Sequence, residues 1–116
     1  MSKKPHPLGF EIIDGLLHGP LKVGMPIKGS LQKKFVMREA MVEDLLDAED
    51  DADVSKPLAF NAQLMVRQLV RVGDSEGPFT IDQIRRLKPI DWRILRAAQG
   101  ELDALGEAES PSESPS

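Results

Sequence analysis

The sequence predicts a small α+β domain that is mainly α, with an N-terminal β-hairpin followed by about four helices. Three observations predict it. Apolar residues alternate on both sides of a Lys-Gly turn, they then repeat at helical spacing from about residue 40, and 116 residues of which 41% are hydrophobic fit one small domain with a modest core. We expect this domain to span residues 19–105, after a poorly defined extension at 1–18 and before a disordered acidic Ser/Pro tail at 106–116.

The hairpin is predicted from residues 20–39, which read PLKVGMPIKGSLQKKFVMRE. The turn falls at Lys28-Gly29-Ser30, and the alternation gives each strand an apolar face, formed by Leu21, Val23 and Met25 and by Leu31, Phe35 and Met37. A lone two-stranded ribbon is marginal in water. We therefore expect the hairpin to rest on the helices that follow.

The first helix is predicted from about Ala40 to Asp51. Its apolar residues repeat at helical spacing, and its acids lie on the other side, where we expect them to be hydrated. The apolar set is Met41, Val42, Leu45, Leu46 and Ala48, and the acidic set is Glu43, Asp44, Asp47 and Asp50. The stretch DADVSK after the helix is predicted to be a loop.

The second helix is predicted to begin near Pro57, which suits a first helical position, and to end at Gly73. It is the most apolar helix and is expected to form the centre of the core. Its predicted buried stripe is Leu58, Ala62, Met65, Val66, Leu69 and Val72.

Two further helices are predicted after the loop GDSEGP. Thr80 and Gln83 have the spacing of a capping box, so a short helix begins there and ends before Pro89. The last helix begins at Lys88 or Asp91. Its predicted stripe is Trp92, Leu95, Ala98 or Gln99, Leu102 and Leu105.

Charge is arranged in blocks, although the formal net charge is only −4. Residues 1–38 are mainly basic, residues 39–53 hold eight carboxylates and no base, and residues 63–99 are again mainly basic. Such blocks let two copies of one chain, or two different chains, approach with opposite charges facing. The alternative is that each block is simply a solvated face.

The residues offer little for catalysis. There is no cysteine, which excludes disulfides, zinc–thiolate sites and a cysteine nucleophile, and no apolar run long enough for a membrane span or a signal peptide. A calcium loop starting at Asp47 departs from the motif at Ala52 and Leu58, and His6 and His18 lack neighbouring ligands. We predict no enzyme, cofactor or metal site, and a soluble cytoplasmic protein.

Nucleic-acid binding is the competing prediction. The last two predicted helices can be read as a helix-turn-helix, with Arg93 and Arg96 facing phosphates or base edges. The acidic helix and tail oppose a polyanion, which favours solvated arginines or ion pairs instead.

Two segments resemble the tail assembly chaperone family of Mu-like and related long-tailed phages. In the first, an apolar strand leads into Arg-Glu, then Asp and an Asp-Ala-Glu-like ending, here Arg38, Glu39, Asp44, Asp47, Ala48 and Glu49. In the second, a leucine is followed by Asp and an aromatic residue ahead of a helix, here Leu87, Asp91, Trp92 and Leu95. The resemblance covers about residues 20–105, and it departs at Ala40, where proline is expected.

The resemblance implies a protein of the host bacterial cytoplasm that is absent from the finished virion. Such chaperones bind the tape measure protein and keep it soluble until tail-tube subunits polymerise around it, often beside a longer, frameshifted form of themselves. We expect Arg38 and Glu39 to fix the strand-to-helix junction, Asp91 to cap the last helix and Trp92 to anchor it. Partner contact is expected at Met41 and Leu45 and at a basic face with Arg67 and Arg71.

A third reading is a self-assembling structural tail subunit, which the alternating charge blocks also allow. A homo-oligomer is compatible with both this reading and the chaperone reading. No membrane partner is expected.

Overall fold

The computed structural model describes residues 6–52 and 55–108, and within them a five-stranded antiparallel sheet packs against helices. In chain order the elements are β1 (Glu11–Ile13), β2 (Leu16–Ile27), β3 (Ser30–Met37), α1 (Val42–Asp51), α2 (Pro57–Gln68), β4 (Leu69–Val72), β5 (Ser75–Glu76), α3 (Ile81–Arg85) and α4 (Pro89–Ala108). The strands follow one another in the sheet in chain order, β1-β2-β3-β4-β5. The pair α1–α2 is inserted between β3 and β4.

The predicted fold class is therefore wrong in its balance of elements. The hairpin of residues 20–39 exists as β2 and β3, but it is the centre of a larger sheet rather than a ribbon resting on a helical domain. The chain on each side of it, including residues 11–18 of the segment expected to be undefined, adds β1, the start of β2, β4 and β5.

Two turns of the same kind shape the N-terminal half of the sheet. The predicted turn at Lys28-Gly29 is confirmed, with φ angles of 51° and 83°. Asp14-Gly15 repeats it between β1 and β2, with φ angles of 54° and 80°. Positive φ at both central residues is the geometry of a two-residue hairpin whose twist matches that of the strands.

The second helix is shorter than predicted. Helix α2 does begin at Pro57, but it ends at Gln68, and the next four residues form β4, paired with β3. Val70 and Val72 favour a strand, and Phe35 of β3 lies opposite Val72 in the ladder. Gly73, with φ 61°, begins the β4–β5 turn instead of ending a helix.

The core lies between the sheet and the long helix α4, with α2 and α3 closing it. The predicted stripe of α4 is buried at Leu95, Ala98 and Leu102, and Gln99 is buried beside them. In α2, Met65 is buried as predicted, but Leu58 is largely exposed. The largest fully buried apolar side chains are Phe35, Leu17, Met25, Met37, Met65, Leu95 and Leu102.

The last helix runs further than predicted. Helix α4 passes Gly106 and continues to Ala108, so the first residues assigned to the disordered tail are helical. The rest of that tail, residues 109–116, lies outside the described residues, as do residues 53 and 54 of the predicted loop.

Candidate partner-binding surface

Helix α1 turns its large apolar side chains away from the fold. The exposed fractions are 62% for Met41, 67% for Val42, 40% for Leu45 and 58% for Leu46. Its buried residues are the small or polar Ala48 and Asp44. We call the outward set Met41, Val42, Leu45 and Leu46 the α1 apolar face.

An ion pair explains why the polar side of α1 faces inward. Arg38 at the end of β3 donates through both terminal nitrogens to the Asp44 carboxylate, at 2.8 and 2.9 Å. The same carboxylate accepts from the backbone N–H of Met41, 2.7 Å away, at the start of the helix. The prediction that this acid is hydrated is therefore wrong for Asp44. A bidentate pair of this kind fixes geometry as well as adding energy.

The pair perturbs both ionisations. The hydrogen bond from Arg38 lowers the pKa of Asp44 below its ordinary value of 3.8, and the backbone hydrogen bond at Met41 and the nearby charge of Arg38 act in the same direction. The hydrogen bond to Asp44 raises the pKa of Arg38. Both groups are therefore held in their charged forms at neutral pH.

Arg38 also connects three elements of the fold through its hydrogen bonds. One terminal nitrogen donates to the carbonyl of Glu39 and the other to the carbonyl of Arg67 at the end of α2. Gln68 returns a bond to the Arg38 carbonyl and accepts one from Gln99 of α4, 2.9 Å away in the buried interior. The position of α1 is thus fixed by a polar network that reaches across the domain.

A second apolar feature lies beside the first. A groove of about 580 Å³ is formed by α2, α3 and the start of α4, and the C-terminal end of α1 lies at its rim. Its apolar lining includes Leu58, Ala62, Ile81, Ile84, Leu87 and Trp92. Arg85 is the basic residue of the lining. We call this feature the α2–α4 groove.

The structure separates the predicted site residues into different places. Arg38, Asp44, Asp47 and Arg67 line one cleft between the α1–α2 pair and the β4–β5 segment. Leu87 and Trp92 line the α2–α4 groove, while Leu95 is fully buried in the core. Met41 and Leu45 belong to the α1 apolar face.

The two arginines of the predicted basic face differ in availability. Arg67 is held within the fold, since its guanidinium donates to the Asp51 carboxylate and to the carbonyl and side-chain oxygens of Gln63. Arg71 is exposed on β4, where Val36 and Glu76 lie opposite it in the neighbouring strands.

Asp91 has a role other than the predicted helix cap. Its side chain is fully buried, and it accepts from three successive backbone N–H groups of β2, at 2.6 Å from Lys22, 3.1 Å from Val23 and 2.8 Å from Gly24. These donors sit in a bulge, because β2 advances from Pro20 to Met25 while β3 advances only from Lys34 to Gln32. Asp91 therefore fastens α4 to the sheet. These donors lie 67 to 69 residues before Asp91 in the sequence, so no local sequence pattern predicts the contacts.

The helix pair α3–α4 is present, with Thr80 and Gln83 forming the predicted capping box. Arg93 on α4 is exposed, whereas Arg96 donates to Gln99 within the fold, 2.7 Å away. The α4 face that starts at Asp91 is packed on the sheet. Within residues 6–52 and 55–108, no group of three acidic or histidine side chains is placed to hold a metal ion.

Comparison with known proteins identifies the family of this chain. The family model described as tail assembly protein gp41 matches residues 17–113, which include the α1 apolar face and the α2–α4 groove. The chain belongs to the gp41 tail assembly protein family. A curated relative of similar sequence is the Mu-like prophage FluMu protein gp41 of Haemophilus influenzae, 32% identical over 100 residues that cover 75% of this chain and 79% of the relative. No solved structure matches.

Membership of the gp41 family confirms the resemblance drawn from residues 20–105 and gives the chain a role in phage tail assembly. The family match begins at residue 17, within β2, so β1 lies before it. None of the described helices of this family member is both long and apolar enough for a membrane crossing.

Proposed function

We propose that this protein binds the tape measure protein during tail assembly and keeps it soluble in the host cytoplasm until tube subunits enclose it. The observation that carries the proposal is the α1 apolar face. A helix on a small domain normally buries its bulky apolar residues and exposes its acids. Here Ala48 and Asp44 are buried and the bulky residues are outside.

The face suits a helical partner. Val42 and Leu46 are four residues apart, so they form one ridge along the helix, with Met41 and Leu45 beside them. A partner helix that covers this ridge would gain roughly 1–2 kcal/mol for each of Val42 and Leu46. Tape measure proteins are long and largely helical, and an amphipathic helix of this kind supplies matching apolar residues.

The acids of α1 have a second effect in this account. Glu43, Glu49 and Asp50 are exposed along the same helix. With a net charge of −4, the chain repels other copies of a loaded complex and so keeps it dispersed.

Co-expression with the tape measure protein of the same phage tests the proposal. The double variant Val42→Ser/Leu46→Ser should fold normally, because both side chains are exposed, but leave most tape measure protein in the pellet. Leu31→Ser is the matched control, since Leu31 is 55% exposed at the far end of the β2–β3 hairpin. Equal retention by the wild type and the double variant would refute binding at this face.

The basic face needs a separate test. Arg71→Glu is the cleaner variant, because Arg67→Glu also breaks the contacts with Asp51 and Gln63. If the double charge reversal of Arg67 and Arg71 leaves the tape measure protein bound and soluble, this face takes no part in the contact.

A further inference from the structure

The α1 apolar face and the α2–α4 groove have complementary shapes and opposite charges. The first is a convex apolar ridge on a helix that contains six acids and no base. The second is a concave, mainly apolar surface whose charged lining residues are Arg85 and Asp51, and Lys88 lies between the two lining residues Leu87 and Pro89. The Asp51 carboxylate is already paired with Arg67 of the same chain, so the unpaired charge of the groove is basic. Within the described part of the chain neither Arg85 nor Lys88 forms an ion pair.

A chain cannot bring its own ridge into its own groove. Helix α1 packs on α2 with Asp44 and Ala48 inward, and the bidentate contact between Arg38 and Asp44 holds it there. The apolar ridge points away from that contact. Only Asp51, the last residue of the helix, and Ala52 after it reach the groove rim.

We propose that α1 of one copy docks, apolar face first, in the α2–α4 groove of a second copy. At 3.6 residues per turn, Glu43 and Asp50 fall on one flank of the ridge. Both are exposed. In the docked pair these carboxylates face Arg85 and Lys88, while Val42 and Leu46 enter against Leu58 and Trp92.

The contact joins two different surfaces, so it is head-to-tail. The docked pair keeps one free ridge and one free groove, to which further copies can add. A contact limited to one helix face and one groove is expected to bury less than the roughly 1,200 Å² of a stable interface, so we expect the association to be weak and reversible. Its ionic part makes it weaker at high salt, because exposed charges are screened.

One consequence rests on the proposed function. If the tape measure protein binds the α1 apolar face, it competes with the groove of a neighbouring copy for the same residues. Self-association then covers the ridge until the partner is present, and partner binding releases the copies.

Sedimentation velocity on the purified full chain over a range of concentrations tests the contact. The wild type should show a mass that rises with concentration. Arg85→Glu/Lys88→Glu, or Glu43→Lys/Asp50→Lys, should weaken self-association by at least about tenfold. Lys33→Glu/Lys34→Glu is the control, since these two lysines are exposed on β3 away from both surfaces.

Mixing the two charge-reversed variants gives the sharper result. Each should be largely monomeric alone, and the mixture should form a heteromeric complex, because the lysines of one variant then face the glutamates of the other. Circular dichroism and thermal melting of each variant show that it is folded.

A wild type that stays monomeric throughout, or a mixture of folded variants that does not associate, would overturn the proposal. So would a monomeric wild type whose groove variant loses the tape measure protein, since the groove would then belong to that partner. The sedimentation measurements use purified protein alone, whereas retention of the tape measure protein is measured by co-expression. Loss of self-association with retained tape measure protein would refute only the contact between copies. Self-association without retention of the tape measure protein would refute only the proposed function.

Discussion

Asp91 provides the most demanding test of how this fold is held together. Its buried carboxylate accepts from the backbone N–H groups of Lys22, Val23 and Gly24, at distances of 2.6 to 3.1 Å for the shortest contact of each. Asp91→Asn keeps the shape of the side chain but removes the charge and turns an NH₂ group toward N–H donors. At least one of the three donors then loses its acceptor.

The cost can be worked from these contacts. A hydrogen bond to a charged group contributes about 1.5–3 kcal/mol, and leaving a buried donor unsatisfied costs about 1–3 kcal/mol. We therefore expect Asp91→Asn to lower the free energy of unfolding by about 2–4 kcal/mol, out of about 5–15 kcal/mol for a domain of this size. For 116 residues a loss of 2 kcal/mol corresponds to a fall in Tm of about 8 °C.

Urea denaturation followed by circular dichroism measures this loss, and amide hydrogen exchange localises it. Exchange at the amides of Val23 and Gly24 should accelerate more than elsewhere in β2. Asp103→Asn is the matched control, because Asp103 is an exposed carboxylate on the same helix. It should change stability by no more than about 0.5 kcal/mol. If Asp91→Asn were as stable as Asp103→Asn, the assigned role of the carboxylate would be incorrect.

Three further predictions concern stability. Because the pKa of Asp44 is lowered in the folded state, its pair with Arg38 stabilises the protein above about pH 4 and loses that effect as pH falls further. The free energy of unfolding, measured against pH, should therefore show the advantage of the wild type over Asp44→Asn shrinking below about pH 4. A difference that stays constant with pH would contradict this. Gly100→Ala should stabilise by about 0.5–1 kcal/mol in thermal melts, since Gly100 lies within α4 with open space around it. Gly24→Ala should destabilise by more than about 1 kcal/mol, because φ is 113° and the Gln32 carbonyl would lie 3.1 Å from the added carbon; an unchanged Tm would refute that.

Local sequence signals predicted local structure well. The Lys28-Gly29 turn, the Pro57 helix start and the Thr80–Gln83 capping box each depend on a few neighbouring residues, and the structure has all three. The Asp14-Gly15 turn carried the same kind of signal as Lys28-Gly29. The prolines and glycines around it obscured the alternation of residues 11–18.

The predictions from sequence were wrong where tertiary contacts determine the local structure. The apolar run that ends at Val72 satisfies a helical period as well as a strand, and pairing with β3 is what makes its last four residues β4. Periodicity placed Asp44 on a hydrated face, because it cannot show that Arg38 lies within reach. The long-range contacts of Asp91 with β2 leave no trace in the neighbouring sequence.

The candidate surface was predictable in part. Met41 and Leu45 are expected as partner contacts once the family resemblance is drawn, and partner contact there stays a prediction. The structure shows that Val42 and Leu46 are more exposed than Leu45. The α2–α4 groove was not predicted. It is formed by three helices, and Leu58, Ala62 and Trp92 of its lining were expected in buried stripes.

We propose that a helix of the tape measure protein covers the α1 apolar face. Methyl NMR of the folded protein, with Val42 and Leu46 labelled and assigned and the tape measure protein added in steps, measures this directly. Binding at this face should shift or broaden the resonances of these methyl groups, while those of Leu31 stay unchanged. Binding that leaves the methyl groups of Val42 and Leu46 unperturbed would contradict it.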